Sequence, residues 1–362
     1  MTILGIETSC DETALALLET REKSGVFECR VINSLVHSQA ELHSAYGGVY
    51  PNLAKREHQK NLMPLLEKLL EPLYGNDFME KNNGIDLIAV TEGPGLEPAL
   101  WTGIVFAQEL ASKWKVPIVP IDHMEGHIVA SLLESDIPQG SWQRLKNLPL
   151  PAIALLISGG HTQLININSI GDYEIVGETL DDAVGEAFDK VARLLGLPYP
   201  GGPHISLLAN QARDQNIQSQ VKLPRPMISS KNFDFSFSGL KTAVLYAVKK
   251  AQESDQFTDE YKKGLALEFE QAVSDVLDAK LRNAIQKYNS LSIIIGGGVS
   301  ANHLLRQTFE KTANEFDIPI FLPSKHLSGD NALMIAIAGA LHDKSSYSTE
   351  LRAHGTKRLS VK

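Results

Sequence analysis

Short apolar runs of strand length, each bounded by glycine or polar turn residues, recur along the chain. They are ILGIE (3–7), TALALLE (13–19), VFECRVINS (26–34), DLIAVT (86–91), PIVPID (117–122), AIALLIS (152–158), TQLINI (162–167), YEIVGE (173–178), LSIIIG (291–296) and IPIFLP (318–323). Apolar positions at helical spacing predict helices over 53–71, 97–114, 123–134, 181–196, 204–213, 238–252, 258–287, 301–315 and 330–343. Strands pair first as hairpins and then alternate with helices, which is the signature of an α/β fold.

The pattern occurs twice. ILGIETSCDETALALLE (3–19) and IALLISGGHTQLININ (153–168) both read strand, small polar turn, strand. Downstream of each, DLIAVTEGPGLEPALWTGIVFA (86–107) and LSIIIGGGVSANHLLRQTFE (291–310) read strand, glycine-rich turn, helix. A duplicated lobe is therefore expected. The polar stretch QGSWQRLKNLP (139–149) reads as the linker, giving an N-terminal lobe over 1–138, joined by 328–362, and a C-terminal lobe over 150–327.

With 362 residues the chain exceeds what one core usually fills, in agreement with two lobes. Its two cysteines, Cys10 and Cys29, exclude a disulfide framework beyond a single bridge and a thiolate-based metal cluster. The start, MTILGIETSCDET, has acids and no basic region, unlike a signal or transit peptide. No apolar run reaches the length of a membrane span, so a cytoplasmic chain with no membrane partner is expected. A net charge of −9 argues against autonomous binding to nucleic acid. Basic residues do cluster at Lys55, Arg56, His58 and Lys60; at Lys222, Arg225 and Lys231; and at Arg352, Lys357 and Arg358. Each cluster reads as a solvated surface, with a phosphate track as the alternative.

Several loops have the composition of ligand sites. In ETSCDET (7–13), the hydroxyls of Thr8, Ser9 and Thr13 stand beside Asp11 and Glu12, and SGGHT (158–162) repeats this chemistry with Gly159 and Gly160. Such turns can hold phosphate oxygens on backbone N–H groups, or they can be plain hairpin turns. IGGGVSAN (295–302) places three glycines before a helix, with Asn302 in reach of a sugar or base, yet it is neither GxGxxG nor a Walker loop. GLPYPGGP (196–203) is a glycine–proline elbow. In GETLDDAVGEAFDKVARLLGL (177–197), Asp182, Glu186 and Asp189 share a stripe opposite Val184, Phe188, Val191 and Leu195, as on a solvated helix face. FDFSFSGLKTAV (233–244) alternates aromatic and serine residues as an edge strand does.

IDHMEGH (121–127) sets His123 and His127 one helical turn apart, as two ligands of one ion or as two polar positions on a helix face. The HExxH arrangement of a zinc peptidase is absent, because Met124 follows the first histidine and Glu125 lies about 200° round the helix. A third ligand is available in SGDNA (328–332), where Asp330 begins a helix. Two imidazoles and a carboxylate suit a divalent ion with open positions, iron or zinc.

GIETSCDET, HMEGH, SGGHTQL, GETLDDAVGEAFDKVARLLGLPYPGGP, FDFSFSGLKTA, GGGVSAN and GDNALMIA occur in the order and spacing of one family. From Ile3 to about Leu341 the chain closely resembles the bacterial TsaD (Gcp) family of tRNA N6-adenosine threonylcarbamoyltransferases. The resemblance implies an actin-like ATPase (ASKHA) fold, two duplicated RNase H-like α/β lobes around a central cleft. It implies transfer of the threonylcarbamoyl group from threonylcarbamoyl-adenylate to N6 of the adenosine 3′ of the anticodon in ANN-decoding tRNAs. By motif, His123, His127 and Asp330 match the family's metal ligands, usually for iron, Fe(2+), with Zn(2+) as the alternative. Leu156, Ile157, Ser158, Gly159 and Gly160, with Asp189, Gly202 and Asn302, match its adenylate-binding positions, and Asp11 and Glu12 its acidic catalytic pair. Implied partners are tRNA, a TsaB-like paralogue and a TsaE-like ATPase. Departures are Asn52, where the family has an acid, and Ala332 and Leu333 beside Asp330. Rival readings are a metallopeptidase, a small-molecule kinase of the same fold and an inactive scaffold.

Overall fold

A strand covered on both faces needs apolar residues at consecutive positions, and the apolar runs of this chain become such strands. The computed structural model describes residues 1–134, 140–348 and 350–359. Residues 1–147 form β1 (Thr2–Glu7), β2 (Glu12–Lys23), β3 (Val26–Ser38), α1 (Ala40–Ser44), α2 (Pro51–Tyr74), β4 (Leu87–Gly93), α3 (Glu97–Trp114), β5 (Ile118–Asp122), α4 (His123–Ala130) and β6 (Trp142–Arg144). Residues 148–322 form β7 (Ala152–Ile157), β8 (Thr162–Ser169), β9 (Asp172–Glu178), α5 (Val184–Leu194), α6 (Gly201–Asp214), α7 (Ser238–Glu253), α8 (Asp259–Tyr288), β10 (Ser292–Gly296), α9 (His303–Phe316) and β11 (Ile320–Phe321). The remaining main element is α10 (Ala332–Leu341). No helix among the described residues is long and apolar enough to cross a membrane.

The chain divides into two compact units, Met1–Asn147 with Pro323–Leu359, and Leu148–Leu322. The first holds a sheet of order β5-β4-β1-β2-β3-β6 and the second a sheet of order β11-β10-β7-β8-β9. In the first, β1, β2 and β3 are antiparallel while β4 and β5 run parallel to β1. In the second, β7, β8 and β9 are antiparallel while β10 and β11 run parallel to β7. The faint sequence repeat is thus a duplicated topology.

Strand pleating sorts the first unit's apolar runs onto two faces. Leu4, Ile6, Leu15, Leu17, Ile88 and Val90 pack with α2 and α3 residues such as Leu66 and Ile104. Ile3, Ala14, Ala16, Leu18, Leu87 and Ala89 pack with α4 and α10 residues such as Val129 and Ile335. In the second unit, Ile153, Leu155, Ile293 and Ile295 pack with Phe188, Phe269 and Phe309 of α5, α8 and α9.

Three sequence expectations are corrected. FDFSFS is not an edge strand: it makes one isolated bridge, Thr179 with Phe235. Its alternation arises because Phe233, Phe235 and Phe237 enter the core while Ser236 and Ser238 donate to the carboxylate of Asp181. His58 is no part of a solvated basic cluster. It is fully buried, and its ring bonds Thr13 Oγ1 and the Cys10 carbonyl. Within the stretch read as a linker, Trp142–Arg144 is strand β6 on the edge of β3, with Arg21 3.8 Å and Arg30 5.0 Å from the Trp142 ring centre. Gln139 lies outside the described residues.

Gly5 on β1 sets how closely α10 approaches the sheet, since a Cβ there would lie 2.2 Å from the Ala332 carbonyl oxygen. That contact fixes the start of α10, and with it Asp330. Gly5→Ala is therefore expected to cost about 1–3 kcal/mol of stability. Chemical denaturation checks this, and an unchanged midpoint would contradict so close a docking.

Candidate metal centre

Helix α4 begins where β5 ends. Asp122 caps it, its Oδ1 accepting from the N–H groups of Met124 and Glu125 at 2.9 and 3.4 Å. Burial pushes the Asp122 carboxyl up to about 6. Every residue of α4 is buried, so the histidines do not lie on a solvated helix face. His123 and His127 are 5% and 1% exposed, their rings edge-on with centres 4.8 Å apart.

Helix α10 brings the third group. Asn331 caps it by accepting from Met334 N–H, which leaves the preceding Asp330 directed at the histidines. Asp330 Oδ1 lies 3.4 Å from His123 Nε2 and 3.2 Å from His127 Nε2. Bonds of about 2.1 Å to a tetrahedral ion would separate its ligand atoms by about 3.4 Å, so these distances fit one shared ion. The three donor atoms all lie within 4.8 Å of one another. His127 Nε2 is buried and has no hydrogen-bond partner, despite the nearby carboxylate. An orphaned imidazole nitrogen facing a carboxylate is the donor set a cation would complete.

Glu7, at the end of β1, orients the site. It is fully buried, and its Oε2 lies 3.0 Å from His123 Nδ1 and accepts from Thr91 Oγ1 at 2.6 Å. Its Oε1 accepts the Ser9 N–H. With Nδ1 donating to Glu7, His123 presents Nε2 towards Asp330, the second-layer arrangement of histidine metal ligands. Burial alone would strip the proton from His123, but the Asp330 and Glu7 carboxylates outweigh it and hold its pKa well above the ordinary value. Burial likewise opposes ionisation of Glu7 and of Asp330, yet His123 beside both lowers their pKa values. The pocket is therefore built around positive charge.

Glu125, the tempting base of a peptidase, is directed elsewhere: its Oε2 lies 2.8 Å from His342 Nε2. The hydroxyls of the first turn are also committed. Thr8 Oγ1 donates to the Ala99 carbonyl, Ser9 Oγ lies 3.2 Å from His123 Nδ1, and Thr13 Oγ1 lies 2.8 Å from His58 Nδ1. That turn is braced, with Asp11 7% exposed within it. Burial and the neighbouring Asp11 push both Glu12 and Cys10 well above their ordinary values.

In the second unit, the end of β7 (Leu156, Ile157) leads into Ser158, Gly159 and Gly160. Ser158 O accepts the Gly185 N–H at 3.1 Å, and a Cβ on Gly185 would meet that oxygen at 2.6 Å. The start of α5 therefore sits directly against the turn. Space beside Gly159, Gly160, Gly202 and Gly298 is open. Asp189 does not belong to the solvated stripe. Lys190 binds Asp182 at 2.6 Å and Glu186 at 2.8 Å, while Asp189 Oδ1 accepts the Gly201 N–H at 2.6 Å, next to Gly202. Asn302 is held inside the unit. Its Oδ1 caps α9 at Leu305 N–H, and its amide donates to Ser206 Oγ at 2.8 Å and to buried Glu270 Oε1 at 2.6 Å. The structure brings His123, His127 and Asp330 together in the first unit, and Ser158 to Gly160 beside the start of α5 in the second.

Two supporting residues escaped the sequence reading, Glu7 and Glu270. Glu7 ends an apolar run with nothing beyond it to bury it, which was the one available signal. Glu270 sits inside the long helix α8 without a distinguishing pattern.

The family model for TsaD, tRNA N6-adenosine threonylcarbamoyltransferase, matches residues 30–337. The chain belongs to the TsaD family. Among TsaD-family relatives, the tRNA N6-adenosine threonylcarbamoyltransferase of Methylobacillus flagellatus is 44% identical over 341 residues, covering 94% of this chain and 92% of that protein. That of Burkholderia thailandensis is 45% identical over 344 residues, with coverage of 94% and 92%. A solved structure of full-length HypF, in its phosphate- and nucleotide-bound form, superposes with a TM-score of 0.54 at 11% identity. It covers 96% of this chain and 47% of that one, and it bears on the fold alone. With the duplicated sheets, this is the actin-like ATPase type of α/β fold expected from the sequence. As a TsaD-family member the chain is a tRNA-modifying transferase.

Glu7→Gln should weaken divalent metal binding about 10–100-fold, because the second-layer carboxylate no longer fixes the His123 ring. Glu125→Gln, whose carboxylate pairs with His342, should leave it unchanged. Titration with Fe(2+) or Zn(2+) checks both. Equal losses in the two variants would contradict the assigned second layer.

Proposed function

We propose that the chain transfers the threonylcarbamoyl group of threonylcarbamoyl-adenylate to N6 of the adenosine 3′ of the anticodon in ANN-decoding tRNAs. The observation that carries this reading is the orphaned Nε2 of His127 facing Asp330, beside a His123 whose other nitrogen is tied to Glu7, in a chain of the TsaD family. His123, His127 and Asp330 hold one divalent ion, Fe(2+) in our reading and Zn(2+) as the alternative. When bound, that ion supplies Lewis acidity towards the carbamoyl carbonyl and an anchor for the threonyl group.

N6 attacks the carbamoyl carbon, the bond from that carbon to the phosphate oxygen breaks, and AMP departs with the bonding pair. The N6 proton must leave as the new C–N bond forms. Asp11 is our candidate acceptor, held in a braced turn, with Glu12 beside it, whose pKa burial and Asp11 raise. The adenylate is assigned to the second unit. The open backbone at Ser158, Gly159 and Gly160, following Leu156 and Ile157, receives its phosphate through N–H groups. Asp189 fixes the turn that presents Gly202, and Asn302 shapes the start of α9, both of its amide protons being engaged. The acidic chain shares tRNA binding with partner subunits, a TsaB-like paralogue and a TsaE-like ATPase. A peptidase is disfavoured by the pairing of Glu125 with His342.

Reconstitution with those partners, unmodified tRNA and threonylcarbamoyl-adenylate tests the reading. Labelled threonine should enter tRNA, and His123→Ala should reduce incorporation to background. Asp11→Asn should lower kcat by about 10²–10⁴ without changing metal content, as loss of a general base does. Absence of transfer by the wild-type chain alongside active partners would overturn the proposal.

A further inference from the structure

Tyr46 and Tyr50 are 64% and 53% exposed, and their rings are stacked on each other with centres 5.9 Å apart and planes 23° from parallel. Two large aromatic rings held face to face in water stabilise no core. The chain beneath them is nevertheless tightly held: Tyr46 N–H donates to the His43 carbonyl at 2.9 Å, and Tyr50 N–H to His43 Nδ1 at 3.3 Å.

From His43 a buried chain of hydrogen bonds runs to the acidic turn, and its ends fix every donor. Since His43 Nδ1 accepts from Tyr50, its Nε2 donates to Gln39 Oε1 at 3.2 Å. Gln39 Nε2 then faces His58 Nδ1 at 3.4 Å, where Thr13 Oγ1 also donates at 2.8 Å. His58 Nε2–H donates to the Cys10 carbonyl at 3.0 Å, and Gln39 N–H donates to the Asp11 carbonyl at 2.9 Å. Burial lowers the pKa of both histidines, so the chain of bonds is one of neutral rings. Thus the tyrosine pair is indexed to the backbone on either side of Asp11. On the next helix, exposed Lys55 and Arg56 form no ion pair among the described residues.

We infer that Tyr46 and Tyr50 form a stacking platform for an unpaired nucleobase of the RNA substrate, with Lys55 and Arg56 meeting its phosphates. An aromatic face takes any base, and exposed cations in the first turns of the helix that follows Tyr50 suit a single-stranded backbone. An adenosine whose N6 is to react must be unpaired, and neighbouring bases then need a surface on which to stack. This inference rests on the tRNA-modifying reading and adds to it a binding surface for the substrate's loop.

The test uses the full chain with its partner subunits, and the alanine double variant Tyr46→Ala/Tyr50→Ala against the phenylalanine pair Tyr46→Phe/Tyr50→Phe. The alanine variant should raise KM for tRNA about tenfold, leaving kcat and KM for the adenylate unchanged, while phenylalanine should preserve all three. Binding of a fluorescent anticodon stem-loop RNA, read by anisotropy, should weaken in parallel. That binding reads the platform even if the wild-type chain shows no transfer, so failure of the functional proposal is seen separately. Unchanged stem-loop affinity in the alanine variant overturns the inference. So does an equal loss with phenylalanine, or an alanine defect confined to assembly with the protein subunits.

Discussion

The buried imidazole of His123, held between the carboxylates of Glu7 and Asp330, is the interaction around which the first unit is organised. Its three groups come from the end of β1, the start of α4 and the residue just before the N-cap of α10. Burying this much charge is unfavourable unless each group is paired and hydrogen-bonded. Glu7 meets that demand through His123, Thr91 and the Ser9 amide, and Asp330 through the two histidines. His127 Nε2 lies 3.2 Å from Asp330 but without hydrogen-bond geometry, the place in the cluster that a cation would complete.

The close approach of elements follows from this arrangement. Asp330 reaches the histidines because α10 lies against Gly5, where any side chain would strike the Ala332 carbonyl. The all-apolar sequence of α10 is the complement, since that helix is buried along nearly its whole length. The second unit reuses the same sheet topology for different chemistry. Its hairpin turn exposes open backbone at Gly159 and Gly160, whereas the first unit's turn commits its hydroxyls to internal partners.

Much of this was legible in the sequence. Apolar runs covered on both faces read plainly as strands, and the duplication was visible in the order of elements. The pairing of His123 and His127 was legible because HxxxH puts two rings on one helical turn, whereas Asp330 is some two hundred residues away and only the fold brings it to them. Other features depend on packing that a linear pattern does not encode. His58 lies among Lys55, Arg56 and Lys60 in sequence but faces the core, because it stands four residues from Ala54 and from Leu62 on the buried stripe of α2. FDFSFS imitates strand alternation, yet the alternation serves Asp181 and three buried rings. β6 is too short for a period to register. Glu7 looked like a strand end, and its role appears only once His123 is placed beside it.

The central claim is that a divalent ion is held by His123, His127 and Asp330 with no sulfur donor. X-ray absorption at the metal edge of anaerobically loaded protein tests it most directly. The account predicts a first shell of light atoms carrying the multiple scattering of two imidazoles, which drops to one in His127→Ala. A sulfur contribution, implicating Cys10, or an imidazole signal unchanged in His127→Ala would contradict it.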